Sequence, residues 1–290
     1  MSFVVAEKTR YPFEESVVHG LHAYGDTKIE LDGAVKLNWP SVTRRYVLEY
    51  GLFKIVIPCP TLCVAFAGNN LWYAHELFSW MAGNSPFEVQ ELIDRAYELH
   101  LAAESRDDIE FIICETERSK TGSITCIKNG TVLDDQENAW IGSPETFREL
   151  QKMRMDALAG ERGGSTGTFS LFNDAMWSSA DDSVGGFTID VALRDGEFHY
   201  NEYLYTQVYK PRLVHLGESV QLFDAKEDGG FTIEAFEVDG CPALYFPQIG
   251  KTLIYTNKYR FPDGALSVEG LSYFYLPMLL DSRTGALIEP

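Results

Sequence analysis

Residues 51–70 read GLFKIVIPCPTLCVAFAGNN, and the fold turns on this stretch. An apolar run surrounds one lysine, Phe53-Lys54-Ile55-Val56-Ile57. Pro58-Cys59-Pro60 breaks it, and a second run, Leu62 to Ala67, ends in Gly68-Asn69-Asn70. Two apolar runs with β-branched residues, joined by a tight break, predict a hairpin. Immediately afterwards Leu71, Ala74, Leu77, Phe78 and Met81 recur at helical spacing. The order is strand, turn, strand, glycine, helix. A lysine inside a buried strand is expensive unless a partner or a reaction uses its charge. A glycine between strand and helix lets the backbone approach a ligand closely and aims N–H groups at it. The residues alone leave a plainer reading of each open: an edge lysine whose head reaches water, and an ordinary turn glycine.

At 290 residues the chain is one large domain or two small ones, with ample length for a buried core. Its 43 acidic and 24 basic residues give a formal net charge of −19, which argues against nucleic acid and anionic membrane surfaces as partners. No apolar run approaches the length of a membrane span. The opening MSFVVAEKTRYPFEES lacks the basic flank and long apolar segment of a secretion signal. The five cysteines (59, 63, 114, 126 and 241) are odd in number, lack CxxC spacing and lie mostly in apolar runs. That pattern predicts reduced core thiols in a cytoplasmic protein. The six histidines form neither HxxxH nor HExxH, and the Gly185-Gly186 and Gly229-Gly230 pairs are not GxGxxG loops, so no metal and no cofactor is expected. Asp107-Asp108 and Asp134-Asp135 read as solvated acidic pairs. Arg44-Arg45 reads as a structural basic spot, and Lys128 as a surface lysine.

Outward from the central hairpin, Phe3 to Ala6 is a short strand close to the start. Serine at position 2 is small enough for Met1 to be removed, so the mature chain is expected to begin at Ser2. Arg10 to Ser16 reads as a loop. Residues 17–31 read as a strand region containing Gly25-Asp26-Thr27-Lys28, and residues 35–48, with Trp39-Pro40, stay unassigned. Helices are predicted over 71–81, 86–104, 145–159 and 168–179, the second capped by Ser85 with Glu88 three residues on. Strands are predicted over 109–114, 123–127 and 139–141, with Ser183 to Phe187 opening another. Asp195-Gly196 marks a hairpin turn. From there the chain is nearly all strand and dense in aromatics between Phe198 and Tyr275. Strict βαβ alternation is missing, which argues against a doubly wound parallel sheet. The expectation is an α+β fold: two mainly antiparallel sheets face to face, each covered by a helix pair, in a four-layer αββα sandwich.

This order of motifs resembles the N-terminal-nucleophile hydrolases, and among them the proteasome β-subunit, the HslV-type peptidases and their Anbu-like relatives. The likeness covers roughly Ser2 to Tyr200, which makes residues 2–200 the core. Residues 201–290 become a strand-rich C-terminal extension packed on it or continuous with it. Ser2 stands where that family has its N-terminal nucleophile, usually threonine. Asp26, in Tyr24-Gly25-Asp26-Thr27, stands at its Gly-Asp or Ala-Asp motif. Lys54 stands at its buried lysine, and Gly68 at the strand-to-helix glycine whose N–H points at the substrate carbonyl. Ile141-Gly142-Ser143 is similar to its Ile-Gly-Ser-Gly turn and brings Ser143 into the implied site. The chain departs from the pattern in having serine for threonine, Pro144 after Ser143, a longer stretch between Ser2 and Asp26, and the C-terminal extension.

The chemistry can be argued from the residues themselves. A serine hydroxyl is a poor nucleophile and needs a base beside it. A free α-amine, with a pKa of about 7.7–8.0, can be neutral near neutral pH and take that proton. A cationic Lys54 would favour the neutral amine, Asp26 would hold Lys54 in place, and the Gly68 N–H would bond the developing oxyanion. Two functions stand at this point. One is an amide-bond hydrolase, a peptidase acting through Ser2 on a peptide or amide substrate. The other is a non-catalytic proteasome-like assembly or binding component, with Asp26 and Lys54 a buried ion pair. Cys59 and Cys63 read as core residues. A homo-oligomer is expected, with contacts through the aromatic segment from Phe198 to Tyr275.

Overall fold

The apolar run Phe3-Val4-Val5-Ala6 opens the first strand, and the sheets grow outward from it. A computed structural model of the chain describes residues 2–13, 16–26, 54–84, 86–160, 167–181, 183–185, 188–207, 209–211, 223–225, 231–238, 241–246, 251–255 and 277–281. The N-terminal elements are β1 (Phe3–Phe13), β2 (Ser16–Asp26), β3 (Ile55–Cys59), β4 (Leu62–Ala67), α1 (Leu71–Asn84) and α2 (Val89–Ala102). Next come β5 (Glu110–Glu115), β6 (Ser123–Lys128), β7 (Thr131–Leu133), β8 (Asn138–Gly142), α3 (Pro144–Leu158) and α4 (Thr168–Ser178). Strands follow: β9 (Thr188–Arg194), β10 (Glu197–Tyr200), β11 (Tyr203–Gln207), β12 (Tyr209–Pro211) and β13 (Phe223–Ala225). The last are β14 (Phe231–Val238), β15 (Cys241–Phe246), β16 (Lys251–Tyr255) and β17 (Pro277–Asp281).

The chain is therefore mixed α+β. One antiparallel sheet runs β10-β9-β2-β1-β8 and a second runs β3-β4-β5-β6-β7. Among the described C-terminal residues, β11-β14-β15-β16-β17 form a further antiparallel sheet, and β12 pairs with β13. Successive strand residues face opposite ways, and β1 uses both faces. Val4 and Ala6 join Ala23, Val64, Phe66 and Ile112 in one apolar cluster that also takes in Leu77 and Phe78 of α1 and Leu92 and Ala96 of α2. Phe3 and Val5 point the other way, into a cluster with Tyr24, Leu150 of α3 and Leu171, Phe172 and Met176 of α4. Phe3 stacks on Phe172 with ring centroids 5.0 Å apart. Every residue of β4 and β5 is buried, including the glutamates at the two ends of β5.

Several expectations change. Residues 10–13 and Ser16 are strand and not loop, and residues 14 and 15 lie outside the described residues: β1 and β2 pair along their length, with Pro12 opposite Val17 and Phe13 opposite Ser16. A proline is tolerated there because β8 pairs β1 only from Phe3 to Glu7, which leaves the far end of β1 an edge among the described residues. The long hairpin also accounts for the extended spacing between Ser2 and Asp26. Lys54 lies one residue before β3 instead of inside it, though its carbonyl still accepts from Phe66 N–H at 3.0 Å. The second helix is capped by Glu88, not by Ser85, which lies outside the described residues. The Glu88 side chain and Glu91 form a reciprocal capping box. Ser183 to Gly185 are not strand, Gly186 and Phe187 lie outside the described residues, and β9 spans Thr188–Arg194. Phe198 and Tyr200 are buried within the chain, so they are core residues and not interface aromatics. The Tyr200 hydroxyl donates to the Ile55 carbonyl at 3.1 Å, and Phe198 N–H donates to Pro60 O at 2.7 Å, which ties β10 to the central hairpin. The 35–48 segment, Arg44-Arg45 and Gly229-Gly230 lie outside the described residues.

Gly68 shows why the strand-to-helix junction requires glycine. Its φ is +152°, and a Cβ there would sit 2.1 Å from the Asp108 carbonyl oxygen. Gly83, near the end of α1, has nothing within 4 Å of an added Cβ. Gly68→Ala should cost about 2–4 kcal/mol through strain and backbone overlap. Gly83→Ala should gain about 0.4–1 kcal/mol by restricting the unfolded chain. Urea unfolding of the two variants checks the opposite signs.

A buried histidine makes stability depend on pH. His100 of α2 is fully buried; its Nδ1 lies 2.6 Å from the Ile109 carbonyl, and its Nε2 accepts from Gly130 N–H at 2.8 Å. That pairing fixes the neutral tautomer with the proton on Nδ1, since Nε2 must accept. Burial pushes the imidazole below its ordinary value of 6.5; the Ile109 carbonyl opposes this and Arg106 adds to it. The unfolded chain binds the proton first, so this contribution is complete above pH 6.5 and is lost as pH falls from there toward the folded value. The urea midpoint should drop between pH 7.5 and pH 5.5 in the wild type, and less in His100→Gln, which starts lower. Parallel curves for both proteins would remove His100 as the source.

Candidate active site

Asp26 ends β2 and Lys54 precedes β3, so the two come from different sheets and meet in the interior. Both are buried, with side chains 0% and 1% exposed. Lys54 Nζ donates to both Asp26 oxygens at 2.8 Å. Two backbone groups complete the shell: Phe3 N–H donates to Oδ1 at 2.8 Å, and Gly185 N–H to Oδ2 at 3.2 Å. Burial pushes the Asp26 carboxyl upward, and Lys54 with the two N–H groups pulls it part of the way back. Among the described residues every partner donates and none accepts, so the shell suits the carboxylate form.

Ser2 is buried at the head of β1. The peptide group between Ser2 and Phe3 is held on both sides. Its N–H goes to Asp26, and its carbonyl accepts from Ser143 N–H at 2.7 Å. Gly142 makes that approach possible. At φ +85° it turns the end of β8, and a Cβ there would lie 1.8 Å from the Ser2 carbonyl oxygen and 3.1 Å from Ala67 Cβ. Ala67 precedes Gly68, so the β4–α1 junction borders the same place. Beyond Gly68 the next two N–H groups are engaged, Asn69 with Asp107 O at 3.3 Å and Asn70 with Asp108 O at 2.9 Å.

Ser143 has two tasks. It is the N-cap of α3, its Oγ accepting from Thr146 N–H at 3.3 Å. Pro144, a departure from the resembling family, occupies the first helical turn, where a missing N–H costs nothing. The Ser143 hydroxyl also hydrogen-bonds the Asp181 carboxylate, which Ser183 binds through its N–H at 3.0 Å and its hydroxyl. Burial raises the Asp181 carboxyl, but these hydrogen bonds outweigh it and hold the group below the ordinary carboxylate range.

The structure thus brings Ser2, Asp26, Lys54 and Ser143 into one linked set, with Gly68 one residue from Ala67 at its border. Asp181, Ser183 and Gly185 belong to the same set and were not anticipated. The only trace in the sequence is an Asp-x-Ser-x-Gly run, Asp181 to Gly185. Lys128, expected on the surface, is largely covered. Its Nζ lies 3.4 Å from buried Glu110 Oε2 and 3.1 Å above the Trp140 ring centroid. In the acidic pairs, Asp134 binds Arg118 and Thr125, Asp135 binds Lys8, and Asp108 accepts from Ser105 N–H. Cys59, Cys63, Cys114 and Cys126 are free thiols, Cys59 exposed and the others buried. Among the described residues no group of His, Cys, Asp and Glu could hold a metal ion, and no helix is long and apolar enough to cross a membrane. No protein-family model matches the chain, and no curated protein matches it.

Proposed function

We propose that this chain is an N-terminal-nucleophile hydrolase with a proteasome-like αββα core, cleaving a peptide or amide bond through Ser2 once Met1 is removed. The observation that carries the reading is the clamped Ser2–Phe3 peptide. Its N–H rests on the same carboxylate that holds buried Lys54, and its carbonyl on Ser143 N–H. Such a clamp fixes the Cα of Ser2, and orientation of this kind is a large part of what catalysis requires. In the proposed reaction the Ser2 hydroxyl attacks the substrate carbonyl and its proton passes to the Ser2 α-amine. Lys54 keeps that amine neutral before attack by charge repulsion, and Asp26 holds Lys54. The Gly68 N–H is assigned to the oxyanion. The carbon–nitrogen bond then breaks as the proton passes to the leaving amine, and water cleaves the resulting ester to restore Ser2. The free thiols among the described residues support placing the protein in the reducing cytoplasm, and the reading includes a homo-oligomer.

The non-catalytic reading has one observation in its favour: Lys54 already binds both oxygens of Asp26, as a structural ion pair joining two sheets would. A panel of fluorogenic peptide amides, assayed beside intact-mass measurement, separates the two. The hydrolase reading expects a mass without Met1 and turnover of at least one peptide. A chain that keeps Met1 has no Ser2 amine, and turnover by it would contradict the mechanism.

A further inference from the structure

A second buried carboxylate stands behind the clamp. Glu110 opens β5 in one sheet, while Gly142 ends β8 in the other. Glu110 Oε2 accepts from Gly142 N–H at 2.7 Å. The next N–H along the chain, that of Ser143, holds the Ser2 carbonyl. Two successive N–H groups, one before and one after the Cα of a residue at positive φ, thus face two different acceptors, the Glu110 side chain in the other sheet and the Ser2 carbonyl just ahead of β1. Fixing the first orients the second. The anchor itself is well supported: Lys128 Nζ lies 3.4 Å from the same oxygen, the Trp140 ring backs the ammonium, and Trp140 stacks on Phe147 of α3 with centroids 4.3 Å apart. Nothing in the Asp26–Lys54 chemistry uses Glu110, and a buried carboxylate without a task is expensive.

We infer that Glu110, held by Lys128, is a positioning residue for Ser2: it fixes the Gly142–Ser143 turn so that Ser143 N–H clamps the Ser2 carbonyl. The effect on chemistry rests on the hydrolase reading, and the effect on the clamp does not. The acceptor matters more than the exact group. Alanine at 110 leaves Gly142 N–H without its partner in a buried place and frees the turn to rotate, whereas glutamine still offers an oxygen.

The test pairs amide hydrogen exchange at residues 142 and 143 of the full chain with the rate at which a peptidyl β-lactone acylates Ser2, read by intact mass. Glu110→Ala should speed exchange at both amides, and slow acylation, by about tenfold or more, the loss expected for a hydrogen bond to a charged group. Exchange at Ile113 and Thr125, within the β5–β6 pairing, should change less. Glu110→Gln should bring both readings back to within about threefold of the wild type. Unchanged exchange at 142 and 143 in Glu110→Ala overturns the inference whether or not acylation occurs. A Gln variant as impaired as Ala overturns it too. Should Glu110→Ala not fold, Glu110→Asp withdraws the carboxylate by one methylene and must show the same two changes. A wild type that is never acylated sinks the hydrolase reading instead and, with it, the effect on chemistry; exchange then decides the clamp alone.

Discussion

Ser2→Ala is expected to abolish hydrolysis of every peptide amide the wild type cleaves, by at least about a thousandfold, the scale on which removal of an acyl-transfer nucleophile is felt. Stability should barely follow. The Ser2 contacts that tie β1 into the site are backbone ones, the carbonyl to Ser143 N–H and the following Phe3 N–H to Asp26. Alanine keeps both. The melting temperature should therefore move by no more than about 4 °C, what a change of roughly 1 kcal/mol produces in a chain of this size. Full turnover in Ser2→Ala would take the nucleophile away from Ser2. A large loss of stability would make Ser2 a packing residue.

The second large effect is on stability. Lys54→Ala leaves the Asp26 carboxylate in the interior with two backbone N–H donors and no counter-charge. Breaking a fully buried pair by removing one partner costs about 3–5 kcal/mol. Lys152→Ala, on a side chain that is 70% exposed and 4.0 Å from Glu149, should cost less than about 1 kcal/mol. Lys128 is unsuitable as the control because it is covered and pairs with Glu110. Chemical unfolding of the two variants decides it. A double variant, Asp26→Asn with Lys54→Met, should lose less than the sum of the two single losses, because neither side is left carrying an unpaired charge. Strict additivity would mean that the two side chains do not act as a pair.

The parts of the fold that could be read from sequence share one trait: their signal is local. The runs on either side of Pro58-Cys59-Pro60, the helical spacing after Gly68 and the Asp195-Gly196 turn all announce themselves within a few residues. Asp195 and Gly196 indeed take positive φ, as a two-residue hairpin turn requires. Lys54 was legible because a cation in an apolar run demands a partner, and Asp26 supplies it. What could not be read depends on neighbours distant in sequence. Pro12 looks like a strand breaker until β8 proves too short to cover the far half of β1. Lys128 looks like a surface residue until Glu110 and Trp140 enclose it. Gly185 meets Asp26 across 159 positions, and Asp181 matters only because α3 begins beside it. Phe198 and Tyr200 resemble interface aromatics in composition, yet the central hairpin buries them.

The most direct measurement is the position of the acyl group after the wild-type protein is trapped with a peptidyl β-lactone and fragmented for mass spectrometry. The account predicts one adduct, on the Ser2 hydroxyl of a chain lacking Met1, and none in Ser2→Ala. An adduct on exposed Cys59 or on any residue other than Ser2, or an adduct on a chain that still carries Met1, would contradict it.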